Sequence, residues 1–180
     1  MKKSLIVLFS AAMLFTSCKD AEVKAYITEV KSMQEQLADI KQKYESTPSD
    51  SNGIMVAIVR NDLLNVKKHY IGADTTNIYL GNVLNSYKSI RKVFSSTAKS
   101  SRIITNAIPE EEKQLNDLLH DLETGNNDRT KYEAFVNTEK RNIAQLDTLT
   151  RIYHEKTIEQ SNKFHTLKPV VDSLINTFNL

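Results

Sequence analysis

The 180-residue chain has one cysteine, four glycines, three prolines and no tryptophan. A single thiol excludes a disulfide framework and any zinc site built on paired cysteines. So few glycines cannot build a loop that cradles phosphate. An excess of one charge is missing as well. The first 17 residues hold two lysines and no acid, and beyond them basic and acidic side chains balance at 22 each. A nucleic-acid binder would carry a basic excess or stripe, so nucleic acid is not an expected partner. The longest apolar stretch, Leu5 to Phe15, has 11 residues. That is too short for a membrane-crossing helix, which needs about 20.

What is present begins at the N-terminus. Met1-Lys2-Lys3 is a positive start, the apolar run follows, and Thr16-Ser17 leads to the only cysteine, Cys18. This order fits a secretory signal segment. The run Leu14-Phe15-Thr16-Ser17-Cys18 resembles the bacterial lipoprotein signal, with Phe15 three places before the cysteine where that family usually has leucine. The resemblance implies alkylation of the Cys18 thiol by diacylglycerol, cleavage before Cys18, and acylation of the new amine. An ordinary signal peptide cut at the same place is the alternative, but it wants a small residue where Phe15 stands. Lys19-Asp20-Ala21-Glu22 lacks an acid directly after Cys18 and is similar to the export tag of Bacteroidota surface lipoproteins. By that resemblance the protein is an outer-membrane lipoprotein, on the periplasmic or surface face. Residues 1–17 are then a signal peptide, 18–22 a lipidated tether, and 23–180 a single soluble domain.

The body reads as helix. Val23, Tyr26, Val30, Met33, Leu37, Ile40 and Tyr44 keep gaps of three and four, an unbroken heptad pattern that ends before Pro48. Residues 54–71 carry a helical face through Met55, Val59 and Val66, yet their apolar runs also allow a hairpin. Gly72 to Asp74 reads as a turn, and the next helix runs to about Phe94. Ser95 to Ser101 reads as a linker. Pro109 is expected to open another helix, with Glu110, Glu111 and Glu112 in its first turn. Gly125 is the expected C-cap and Asp128 the next N-cap. A long helix should then run to Pro169, projecting or bending where its stripe turns polar, at 139–140 and 157–160. A short terminal helix, 170–178, completes it. The expectation is an all-α antiparallel bundle of about five or six helices, one of them a long C-terminal helix.

Catalytic signatures are sparse. His69, His120, His154 and His165 stand at no metal-binding spacing, and Glu155 with Glu159 reads as a solvated face, so neither metal nor cofactor is expected. No nucleophile elbow occurs. Asp74-Thr75-Thr76 and Asp172-Ser173-Leu174 resemble the Asp-Ser/Thr motif of Bacteroidota O-glycoproteins, which makes Thr75 and Ser173 candidate acceptors. The expected protein is therefore not an enzyme. It is a lipid-anchored lipoprotein that binds a still unidentified envelope partner or scaffolds a complex. The alternative is a ligand-binding or enzymatic bundle with a site assembled from residues such as Asp147, Tyr153 and His154. An apolar strip exposed from Phe135 to Phe164 would favour the first reading, and a concave pocket the second.

Overall fold

The computed structural model describes residues 2–69 and 78–177, residues 2–20 by their backbone alone. Among the described residues four helices follow in order: α1 (Lys2–Glu45), α2 (Asn52–His69), α3 (Ile78–Thr124) and α4 (Tyr132–Thr177), with a 3-10 turn at Arg129–Lys131 leading into α4. No strand occurs among the described residues, so the all-α expectation holds. The helix count does not, because several expected breaks are absent. Tyr70, Ile71, the turn at Gly72 to Asp74 and Phe178 lie outside the described residues.

The Ser95–Ser101 linker is uninterrupted helix in α3. Ser and Thr favour loops because their hydroxyls compete for backbone groups. Here the competition is resolved inside the helix: Thr97 Oγ1 donates to the Phe94 carbonyl at 3.0 Å and Thr105 Oγ1 to that of Ser101 at 2.9 Å. Phe94, Thr97 and Ile104 are buried along the same face. Pro109, expected at a helix start, also lies within α3. It removes the donor that would meet the Thr105 carbonyl, a cost of about 3 kcal/mol. Buried Ile104, Ile108 and Leu115, at roughly 1.5–3 kcal/mol each, outweigh it. Glu110, Glu111 and Glu112 therefore sit mid-helix rather than at a dipole end. Pro169 is likewise inside α4, so the separate terminal helix is the last turns of α4 instead, held by buried Val171. The polar stretch at 157–160 does not project: Thr157 and Gln160 are 0% and 3% exposed.

Elsewhere pattern and structure agree. The heptad positions Val30, Met33, Leu37 and Ile40 are buried, and α1 ends at Glu45 just before Pro48. Residues 52–69 are helix and not hairpin. Asp128 caps the 3-10 turn, its Oδ1 accepting from the Thr130 amide at 3.1 Å. The Thr130 hydrogen bonds, more than nearby Lys131, hold its carboxyl below the usual range.

Gly125, after α3, takes φ +71°, and a Cβ there would lie 3.0 Å from Arg129 Nη2. Gly125→Ala should therefore cost about 1 kcal/mol in urea unfolding, and Gly125→Asn less, since asparagine tolerates that conformation. Equal stability of all three proteins would contradict the cap.

The chain divides into two compact units. Unit 1 comprises Met1–Lys41 and Asn106–Asp147. In it α3 runs opposite to α1, as Gln34–Asn116 (2.8 Å) and Lys31–Glu123 (3.5 Å) show. Segments of α1 and α4 run the same way, tied by Lys140 to Glu29 at 2.5 Å. The expected polar spot at 139–140 is thus an inter-helix contact. Tyr132, 1% exposed, closes one end by donating to the Asp121 carbonyl at 3.0 Å.

Unit 2 comprises Gln42–Thr105 and Thr148–Leu180. Met55, Val59, Tyr87, Ile90, Phe94 and Phe164 form most of its core cluster. A buried hydrogen-bonded pair interrupts this core. The Tyr87 hydroxyl donates to Asp62 Oδ2 at 2.6 Å, and Lys168 Nζ lies 3.6 Å from the same oxygen. Lys168 also donates to Asp172. Burial works to lower the Lys168 ammonium, but Asp172 and Asp62 outweigh it and hold it above its ordinary value. Burial and the Asp62 carboxylate push the Tyr87 phenol up.

Candidate functional site

A partly open cavity of about 1000 Å³ lies in unit 2. One wall is the start of α2, where Asn52, Gly53 and Val56 follow the turn at Ser49. That turn is closed by the Asn52 amide donating to the Ser49 carbonyl at 3.0 Å. The other wall is α3 from Asn85 to Ser101, about 24 Å of helix at 1.5 Å per residue. Tyr153 of α4 completes the lining.

The wall of α3 changes character along its length. Lys88, Arg91 and Lys92 line one stretch, and none forms an ion pair with a described residue. Phe94, Thr97, Ala98 and Ser101 line the next. Besides exposed Ser95, the hydroxyls there are already engaged: Thr97 bonds the Phe94 carbonyl, and Ser101 Oγ lies 2.8 Å from the Tyr44 hydroxyl. What they offer the cavity is therefore mostly carbon. Among the described residues no carboxylate, histidine or thiol lines it.

Tyr44, from the last turn of α1, props this wall. Its hydroxyl lies 2.7 Å from Thr105 Oγ1, and its ring packs on Tyr153 with centroids 5.5 Å apart. Asn52 Oδ1 is buried without a partner among the described residues.

Of the three polar residues proposed from sequence, only Tyr153 reaches the cavity. His154 Nδ1 pairs instead with Thr47 Oγ1 at 2.9 Å, and Asp147 is an exposed residue of unit 1. The apolar strip from Phe135 to Phe164 does not exist: Phe135 is 40% exposed, whereas Phe164 is 6% exposed in the unit 2 core. Ser173 is an exposed residue of α4. Thr75 lies outside the described residues. Cys18 falls within the helical backbone of α1. Glu155 binds Arg151 at 3.1 Å, and no group of three His, Cys, Asp or Glu able to hold a metal gathers among the described residues.

Unit 1 holds a second unusual group. The fold brings Glu139 close to Glu111, and Glu111 Oε2 is buried without a hydrogen-bond partner among the described residues. Burial first, then the Glu139 and Glu110 charges, push the Glu111 carboxyl up to about 7. The sequence hid this pair because Glu110 to Glu112 read as dipole-favoured acids at a helix start.

Among the described residues no helix is long and apolar enough to cross a membrane. The chain matches no protein-family model, no curated protein and no solved structure.

Proposed function

We propose that this protein is a lipid-anchored envelope lipoprotein that works by non-catalytic binding, with the unit 2 cavity as its binding site. The cavity carries the binding half of the reading. Its volume of about 1000 Å³ lies at the top of the range for small-molecule sites. Binding rather than turnover is the better account because the lining lacks the acid–base groups most often used in catalysis. A protein-docking surface has less support, since the exposed large apolar side chains, Ile54, Leu64, Ile78, Tyr79, Ile103 and Phe135, are spread over three helices with only Ile78 and Tyr79 adjacent in sequence, and isolated ones are normal on any surface.

The anchor half rests on Leu14 to Cys18 and on the short distance from Cys18 to the heptad of α1. Two or more acyl chains give durable attachment, at ~0.8 kcal/mol per buried CH₂. Cys18→Ala should move the protein from the detergent phase to the aqueous phase in Triton X-114 partition. Globomycin should cause the unprocessed wild-type precursor to accumulate. Mature protein whose residue 18 is unmodified by mass spectrometry would overturn the anchor.

A further inference from the structure

We propose that the unit 2 cavity selects a small amphipathic anion: a single oxyanion headgroup on an apolar body. This rests on the reading of that cavity as the binding site and adds the chemistry of what it takes. Three cations line it, and among the described residues no acid does. Lys88, Arg91 and Lys92 lie at i, i+3 and i+4 on α3, so they share one face of the helix, and all three are exposed. Their uncompensated charge gives the cavity a local positive field in a chain whose overall charge is nearly balanced. A field focused in a concave site raises the local concentration of anions.

The headgroup is bounded by the reach of those three side chains. Arginine supplies a planar fork of donors that suits carboxylate, phosphate or sulfate, and the two lysines supply point charges on flexible stems. Asn52 adds an amide whose Oδ1 meets no donor. The body is bounded by the rest of the wall. Phe94, Ala98, Val56 and the Tyr153 ring offer carbon, Thr97 and Ser101 keep their hydroxyls engaged elsewhere, and Ser95 adds one exposed hydroxyl. The cations occupy Lys88 to Lys92, and the carbon-rich stretch continues to Ser101, nine residues further along the helix. That separation, about 14 Å at 1.5 Å per residue, accommodates a chain or ring system lying along α3 away from its charge. A doubly charged, wholly polar anion would leave this stretch unused, and a neutral lipid would leave the cations unused.

Titration calorimetry on the full-length protein tests this with octyl phosphate below its micelle concentration, alongside octanol, octylamine and inorganic phosphate. Octyl phosphate should bind at one site, at least tenfold tighter than any of the other three. The pair Lys88→Gln/Lys92→Gln should weaken it tenfold or more and reduce the dependence of its affinity on salt, which Arg91 alone then carries. Ala98→Trp fills the cavity from an exposed helix position without touching the charges, and should abolish binding while the circular dichroism spectrum stays helical. Octanol binding as tightly as octyl phosphate, and lost in Ala98→Trp, would overturn the anion selectivity while leaving the cavity as the site. Inorganic phosphate binding as tightly would overturn the apolar body. No binding of any probe, or binding unchanged in Ala98→Trp, would overturn both this inference and the cavity reading beneath it. Flotation with phosphatidylglycerol vesicles that depends on Lys88 and Lys92, without octyl phosphate binding, would assign the cations to a membrane surface and overturn the inference equally.

Discussion

Asp62→Ala should destabilise the protein by about 3 kcal/mol in urea unfolding at pH 7. The substitution strips the fully buried Tyr87 hydroxyl of its acceptor, and an unsatisfied buried group costs about 1–3 kcal/mol. It also removes one of the two carboxylates facing Lys168, whose side chain is only 25% exposed. Leaving such a charge partly uncompensated adds to the cost, although Asp172 keeps it from reaching the 3–5 kcal/mol of a fully orphaned ion. Tyr87→Phe is the milder change, about 1 kcal/mol, because Asp62 retains Lys168. The two should not add in the double variant, since each acts through the same oxygen. A loss below 1 kcal/mol for Asp62→Ala would show that the group is a bystander in the core.

Glu111 gives the second large effect, and its sign runs against the usual acid behaviour. Its carboxyl is raised from 4.5 to about 7 in the folded protein, so between those values the folded state holds a proton that the unfolded state has released. Stability from this group is therefore full below about pH 4.5 and is lost as pH rises through 7. Glu111→Gln keeps the shape and removes the titration. The variant should be more stable than wild type at pH 8 by about 1–2 kcal/mol, after allowance for partial solvent screening. At pH 4.5 the two should be nearly equal. Parallel stability curves from pH 4.5 to 8 would show that Glu111 carries no shifted proton.

The elements legible in the sequence were those whose apolar spacing is long and regular. The α1 heptad from Val30 to Ile40 is buried as written, and Gly125 and Asp128 mark a real helix end and cap. Punctuation misled where packing overrode it. Local preference makes Ser95 to Ser101 a loop and Pro109 a start, but both lie between strongly buried positions, Phe94, Ile104 and Leu115, and the cost of breaking that face exceeds the local preference. Thr157 and Gln160 misled in the opposite direction, being polar residues that the fold nonetheless buries.

The site was less legible than the fold. Tyr153 was named, yet the residues that give the cavity its charge read as an ordinary solvated face of α3. Lys88, Arg91 and Lys92 become a constellation only when the start of α2 stands opposite them. Glu139 and Glu111 are 28 positions apart in the sequence, and nothing local in either segment announces that the fold brings their charges together.

The Tyr44–Tyr153 contact has an optical consequence. Tryptophan normally swamps phenol emission, and this chain has none. One member of the pair forms part of the cavity wall, and the other grips Ser101 on that same wall. Anything that wedges the two rings apart alters the ultraviolet signature of the native molecule, so the cavity comes supplied with its own gauge and needs no dye.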